Sequence, residues 1–183
     1  FYVSGKINND YRSLNVSSEL MEVLLSSGVT TQIIKRITGR QSPSAAIDSG
    51  NSGGHWTPFP SFNAYQTNTP NYDAMPSGHI TTLMASITVL FTNYPNTKWI
   101  KPVGYSLTGL LAFQMMSSRV HWASDYPIAI LMGYVIGRNA ANRRIKKEVK
   151  TDLTGEITYP KFKTDFSFGY TSQYKMVGLT ISF

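Results

Sequence analysis

Two short stretches of this chain carry residue types that can handle a phosphate group: Pro76-Ser77-Gly78-His79 and His121-Trp122-Ala123-Ser124-Asp125. In the first, Pro76 ends a loop, Ser77 can cap a helix, and Gly78 lets an anion approach exposed backbone N–H groups. A helix N-terminus is already an anion site, because its N–H groups and the positive end of its dipole point outward. His79, in the first turn, then lies against whatever is bound there. The same four residues also suit an ordinary capped helix start. In the second stretch His121 and Asp125 stand four residues apart, one above the other if the segment is helical. A carboxylate holding one imidazole nitrogen fixes the tautomer and leaves the other nitrogen free to attack. A satisfied histidine at a helix start gives the same pattern. A zinc site is less well supported, since there is no HExxH, no cysteine, and only His55 as a third histidine.

These residues need a scaffold, and the composition supplies one. The chain has 183 residues, 42 % of them hydrophobic and 15 % charged, which suits a globular core and excludes a mainly disordered protein. The absence of cysteine removes disulfides and thiolate chemistry together. The net charge of +7 favours phosphate-bearing partners, and much of it lies between Arg138 and Lys150. That run reads as a solvated helix end or as a stop at an anionic membrane face. No interleaved aromatics accompany it, so nucleic acid is not an expected partner. The first residue is Phe1, from which we expect the N-terminus to have been cleaved or left out.

Hydrophobic periodicity predicts an all-α bundle. Residues 1–15 are polar and are expected to be irregular. A helix starts near Ser17 or Ser18 and carries Leu20, Val23, Leu24, Val29, Ile33, Ile34 and Ile37, with Gly28 as a kink or break and Gly39 as a stop. Residues 43–76, rich in Ser, Gly, Asn and Pro, read as a long functional loop. Three helices follow: one from Ser77, one from Trp99 to Ser118, and one from Tyr126 to Val149. Their apolar runs are short or marginal for a bilayer of roughly 30 Å. Residues 1–150 form the helical domain. Residues 151–183 form a tail whose alternating pattern predicts a hairpin about Thr171–Gln173, able to dock on a membrane or an outer-membrane protein.

Together with Lys35–Pro43 (KRITGRQSP), the two stretches resemble the type 2 phosphatidic acid phosphatase superfamily, which also contains bacterial acid phosphatases and vanadium haloperoxidases. The pattern there is Lys-x6-Arg-Pro, then Pro-Ser-Gly-His, then Ser-Arg-x5-His-x3-Asp. Residues 76–79 match in full, and His121 and Asp125 match the end of the third stretch. The resemblance covers roughly residues 20 to 145. It implies that His121 is a nucleophile forming a phosphohistidine, that Asp125 orients it, and that His79 protonates the leaving group and later activates water. Lys35, Ser77 and Gly78 would hold the phosphate oxygens, with no metal and no cofactor, and vanadate would bind as a phosphate mimic. Two arginine slots are filled otherwise, by Ser42 and Met115, and Gln114 takes the serine slot. Arg40 and Arg119 are the expected substitutes, because a guanidinium has long reach and grips phosphate bidentately.

The resemblance therefore implies a metal-independent phosphatase acting on phosphate monoesters or lipid phosphates. Its location would be periplasmic or membrane-associated, with the site facing the periplasm. The alternatives are a non-catalytic subunit of a membrane-associated complex that keeps the fold, and, behind it, a vanadate-dependent haloperoxidase, an enzyme type that is typically much longer. His55 is read as a loop residue near the cleft mouth, and Trp56 and Trp122 as packing residues.

Overall fold

The computed structural model describes residues 1–8, 10–148, 163–171 and 174–182. It divides into two compact units, residues 1–144 and residues 145–183.

The first unit begins with α1 (Tyr2–Asn8) and α2 (Tyr11–Thr38). The irregular N-terminal stretch expected from composition is thus largely helical, and α2 starts at Tyr11 rather than near Ser17. The cause is Asp10, which caps α2 by accepting from the Arg12 N–H at 3.0 Å and from Ser13 Oγ at 2.5 Å. Those hydrogen bonds, that from the Ser13 hydroxyl first, hold the Asp10 carboxyl below the usual carboxylate range. Helix α2 runs unbroken through Gly28. It stops at Gly39, whose φ of 52° is left-handed and whose N–H bonds the Lys35 carbonyl at 2.8 Å. A Cβ at Gly39 would sit 1.8 Å from the Thr57 carbonyl oxygen, so only glycine fits there.

The buried stripe of α2 is Ser13, Val16, Glu19, Val23, Ser27, Thr31 and Lys35, spaced three or four residues apart. Leu24, Val29, Ile33 and Ile37, which mark the helix in the sequence, point outward. Beyond Val23 the face that α2 turns to the core is polar throughout, and it ends on a lysine.

Helix α5 (Gly78–Asn93) is the centre of the unit and packs against both α2 and α6 (Ile100–Ser117). Helix α7 (Tyr126–Glu148) also lies on α5. Gly133 and Gly137 allow this, since a Cβ at either would come within 2.4 Å of the Thr81 or Ala85 carbonyl oxygen. The resulting core joins Val16 and Val23 of α2 to Ala85 and Val89 of α5 and Ala140 of α7. A second cluster of Ile80, Tyr126 and Ala129 sits at the start of α5, next to the candidate site. Each fully buried Val or Ile contributes roughly 1.5–3 kcal/mol.

Residues 43–76, expected to be a loop, hold α3 (Pro43–Asp48), α4 (Phe62–Thr67) and a 3-10 turn at Thr69–Asn71. Ser42 and Ser61 cap the two short helices by accepting from the N–H groups of Ala45 and Ala64. The segment folds back on Arg40, whose backbone bridges to Trp56 on one side and Asp73 on the other. That return places residues 73–75 beside the end of α2. Among the described residues no helix is long and apolar enough to cross a membrane.

In the second unit, β1 (Lys163–Thr171) pairs antiparallel with β2 (Tyr174–Ser182), with Thr171 opposite Tyr174 and Lys163 opposite Ser182. Residues 172–173 of the expected turn, the expected helix end at Val149 and the domain break at residues 150–151 lie outside the described residues.

Candidate active site

Four segments meet at one cleft of about 610 Å³: the last turns of α2, Asp73, the first half of α5, and α6 with the chain leaving it. Lys35, Asp73, Gly78, His79 and His121 all line it. The lysine and both motif histidines, drawn from segments far apart in sequence, thus share one site. Thr31 and Gln32 of α2, Thr82 and Ser86 of α5, and the apolar Leu83, Leu111 and Val120 also line it.

Gly78 and His79 occupy the first turn of α5, with Ser77 as the N-cap. The Ser77 side chain makes no capping hydrogen bond, and the first N–H groups of a helix have no intrahelical partner. Its hydroxyl lies 3.9 Å from the sulfur of Met115, fully buried rather than on the cleft wall. Met115 is the residue standing at the position where the sequence pattern has an arginine.

His121 is buried, 3 % exposed, and its Nδ1 lies 2.6 Å from the Ala74 carbonyl oxygen. A carbonyl only accepts, so Nδ1 carries a proton, and in the neutral ring the lone pair is on Nε2. Asp125 Oδ2 is 3.7 Å from the same Nδ1, too far for a hydrogen bond, and acts on the ring through charge alone. The segment is not an α-helix at this point: Ala123–Asp125 form a 3-10 turn in which Asp125 Oδ2 accepts the Trp122 N–H at 2.8 Å. Tyr126 meets the His121 ring edge-on, with centroids 6.4 Å apart. Burial, and after it the charge of Asp125, push the Tyr126 phenol above the ordinary tyrosine range, so that neighbour stays neutral.

Arg40 lies behind this arrangement. Its Nη1 donates to Asp125 Oδ1 and, at 2.8 Å, to Ser124 Oγ. The guanidinium carbon sits 4.9 Å from the Trp56 ring and 5.4 Å from the Trp122 ring. Trp122 in turn donates from Nε1 to the Gln41 carbonyl at 2.8 Å. Arg40 is not among the residues lining the cleft, and neither are Arg119 and His55. Helix α6 has already ended when the chain reaches Arg119, which is exposed with a left-handed φ of 57°. Its backbone carbonyl accepts from Ser44 N at 3.0 Å.

Two contributors escaped the sequence reading. The Ala74 carbonyl orients the histidine, and a backbone atom leaves no mark in residue types. Asp73 pairs with Lys35 at 3.3 Å inside the cleft. It stands three residues before Pro76, and nothing about an isolated aspartate in a polar stretch singles it out. Among the described residues no group of three His, Asp or Glu side chains is placed to hold a metal ion.

The helical scaffold thus gathers two histidines and a lysine in one cleft beside the N-terminus of α5. The chain belongs to the PAP2 superfamily, whose family model matches residues 18–146. Members of that family are generally phosphatases. No curated protein and no solved structure matches the chain.

Proposed function

We propose that this protein hydrolyses phosphate monoesters through a phosphohistidine on His121. The observation that carries the reading is the Ala74 carbonyl on His121 Nδ1, which assigns the lone pair of the neutral ring to Nε2, in a residue that shares its cleft with Lys35, Gly78 and His79.

In the first half-reaction Nε2 of His121 attacks phosphorus as the ester P–O bond breaks. Protonated His79 gives its proton to the departing oxygen, releasing an alcohol. In the second half-reaction neutral His79 takes a proton from water as that water attacks the phosphohistidine. Inorganic phosphate leaves and both histidines return to their starting state. Lys35, the Gly78 backbone and the N-terminus of α5 neutralise the oxygens of the trigonal-bipyramidal transition state. Asp125 supports the developing charge on the imidazole from 3.7 Å, and Arg40 holds that carboxylate in place. Arg40 therefore acts through Asp125 rather than on phosphate, and Ser77 shapes the start of α5. No step calls for a metal or an organic cofactor, and vanadate would occupy the cradle as a phosphate mimic.

The leaving group can be a soluble alcohol or a lipid. Exposed Leu25, Val29 and Ile33 on α2, the helix that also carries Lys35, favour work at a membrane surface; the periplasmic side is proposed from the family resemblance alone. A second reading, a non-catalytic subunit of a membrane-associated complex, draws on one observation: Met115 and Ser42 stand where the family pattern has arginines, leaving Lys35 the one lysine or arginine among the described cleft residues.

Hydrolysis of a chromogenic phosphate ester in EDTA separates the two. The phosphatase reading expects turnover that vanadate blocks and that His121→Ala reduces by about a thousandfold or more. No turnover on a panel of soluble and lipid phosphates would favour the non-catalytic reading.

A further inference from the structure

A carboxylate in a phosphate cradle is physically out of place, because it repels the anion the cradle is built to hold. Asp73 is such a group. Its Oδ2 lies 3.3 Å from Lys35 Nζ, and both side chains line the cleft that holds His79 and His121. Lys35 is deeply set, its side chain 10 % exposed, whereas Asp73 is 31 % exposed and lies toward the solvent side of the pair. Arg40 cannot supply a second cation, since it is committed to Asp125 and Ser124 between two tryptophans. The backbone at this point is fixed independently of the carboxylate, by the Ala74 N–H on the Arg40 carbonyl at 2.9 Å and by the Ala74 carbonyl on His121. The Asp73 side chain can therefore change partner without disturbing the nucleophile.

We infer that Asp73 competes with phosphate for Lys35 and so sets how tightly the cleft holds the anion. In the unliganded cleft the carboxylate holds the lysine. A bound phosphoryl group takes the lysine's charge and leaves Asp73 as an unpaired like-charged neighbour. Once inorganic phosphate has formed, recapture of Lys35 by Asp73 favours its release. This last role rests on the phosphatase reading, while the competition itself needs no turnover.

The test is calorimetric titration of inorganic phosphate into the native chain, Asp73→Asn and the double variant Asp73→Asn/Lys35→Met, at one pH and low salt. Asp73→Asn is expected to bind phosphate about tenfold more tightly than the native chain, with the gain lost in the double variant. Asp73→Ser serves as a second uncharged variant, and thermal melting confirms that each is folded. Weaker or unchanged binding in both uncharged variants would show that Asp73 merely positions Lys35 and would overturn the inference. A gain that survives Lys35→Met would overturn it too, as would an absence of phosphate binding throughout. A native chain that binds phosphate but hydrolyses no ester would count against the phosphatase reading and not against this competition.

Discussion

Lys35 and Arg40 stand at the same end of α2, five residues apart, and their charges are used in opposite ways. Lys35 reaches into the cleft and is held by a part-exposed aspartate at 3.3 Å, a pair that an incoming anion can break. Arg40 lies behind the cleft, joined to a fully buried Asp125 and flanked by Trp56 and Trp122. One cation lines the cleft beside a part-exposed partner, and the other is committed behind His121. The difference arises at Gly39. Its left-handed turn ends the helix, so Arg40 leaves along a new direction into the returning chain, while Lys35 stays on the buried stripe of α2. A positive residue near a phosphate motif is thus no sign of a phosphate ligand; its own counter-ion decides.

Substitutions should separate the two roles. Arg40→Ala leaves the buried Asp125 carboxylate without its partner, so it should cost about 3–5 kcal/mol in urea unfolding at neutral pH. A loss below about 1 kcal/mol would mean that the guanidinium is not structural. Lys35→Met should do the reverse, lowering turnover about a hundredfold while stability changes by less than about 1 kcal/mol. If turnover survived, the cradle would not depend on its lysine. Arg119 provides the control. Arg119→Gly relieves a left-handed backbone and should raise stability by about 0.5–1 kcal/mol, with turnover within about twofold of native. A large loss of activity there would return Arg119 to the phosphate site.

The two motifs were legible because their chemistry is local. A helix N-terminus with its histidine lies within four residues, and His121 reaches Asp125 across four. The three long helices were legible from their periodicity, and α6 spans Ile100–Ser117 where the pattern predicts Trp99–Ser118. The inward face of α2 was not. Leu24, Val29, Ile33 and Ile37 point outward, and beyond Val23 the residues it buries, Ser27, Thr31 and Lys35, are of a kind that usually faces water. Nor was the partnership of Arg40 with Asp125, which spans 85 positions and follows no period. The helices within residues 43–76 were hidden by Gly and Pro, although Ser42 and Ser61 are ordinary capping residues.

The central claim is that His121 carries the phosphoryl group and His79 moves the protons. Rapid acid quench of His79→Ala with a phosphate ester of a good leaving group, followed by intact-mass analysis, tests it most directly. Without a base to activate water, the variant should accumulate one phosphoryl group per chain, and His79→Ala/His121→Ala should accumulate none. A phosphoryl group that persists when His121 is replaced would contradict the account, as would rapid hydrolysis by both variants.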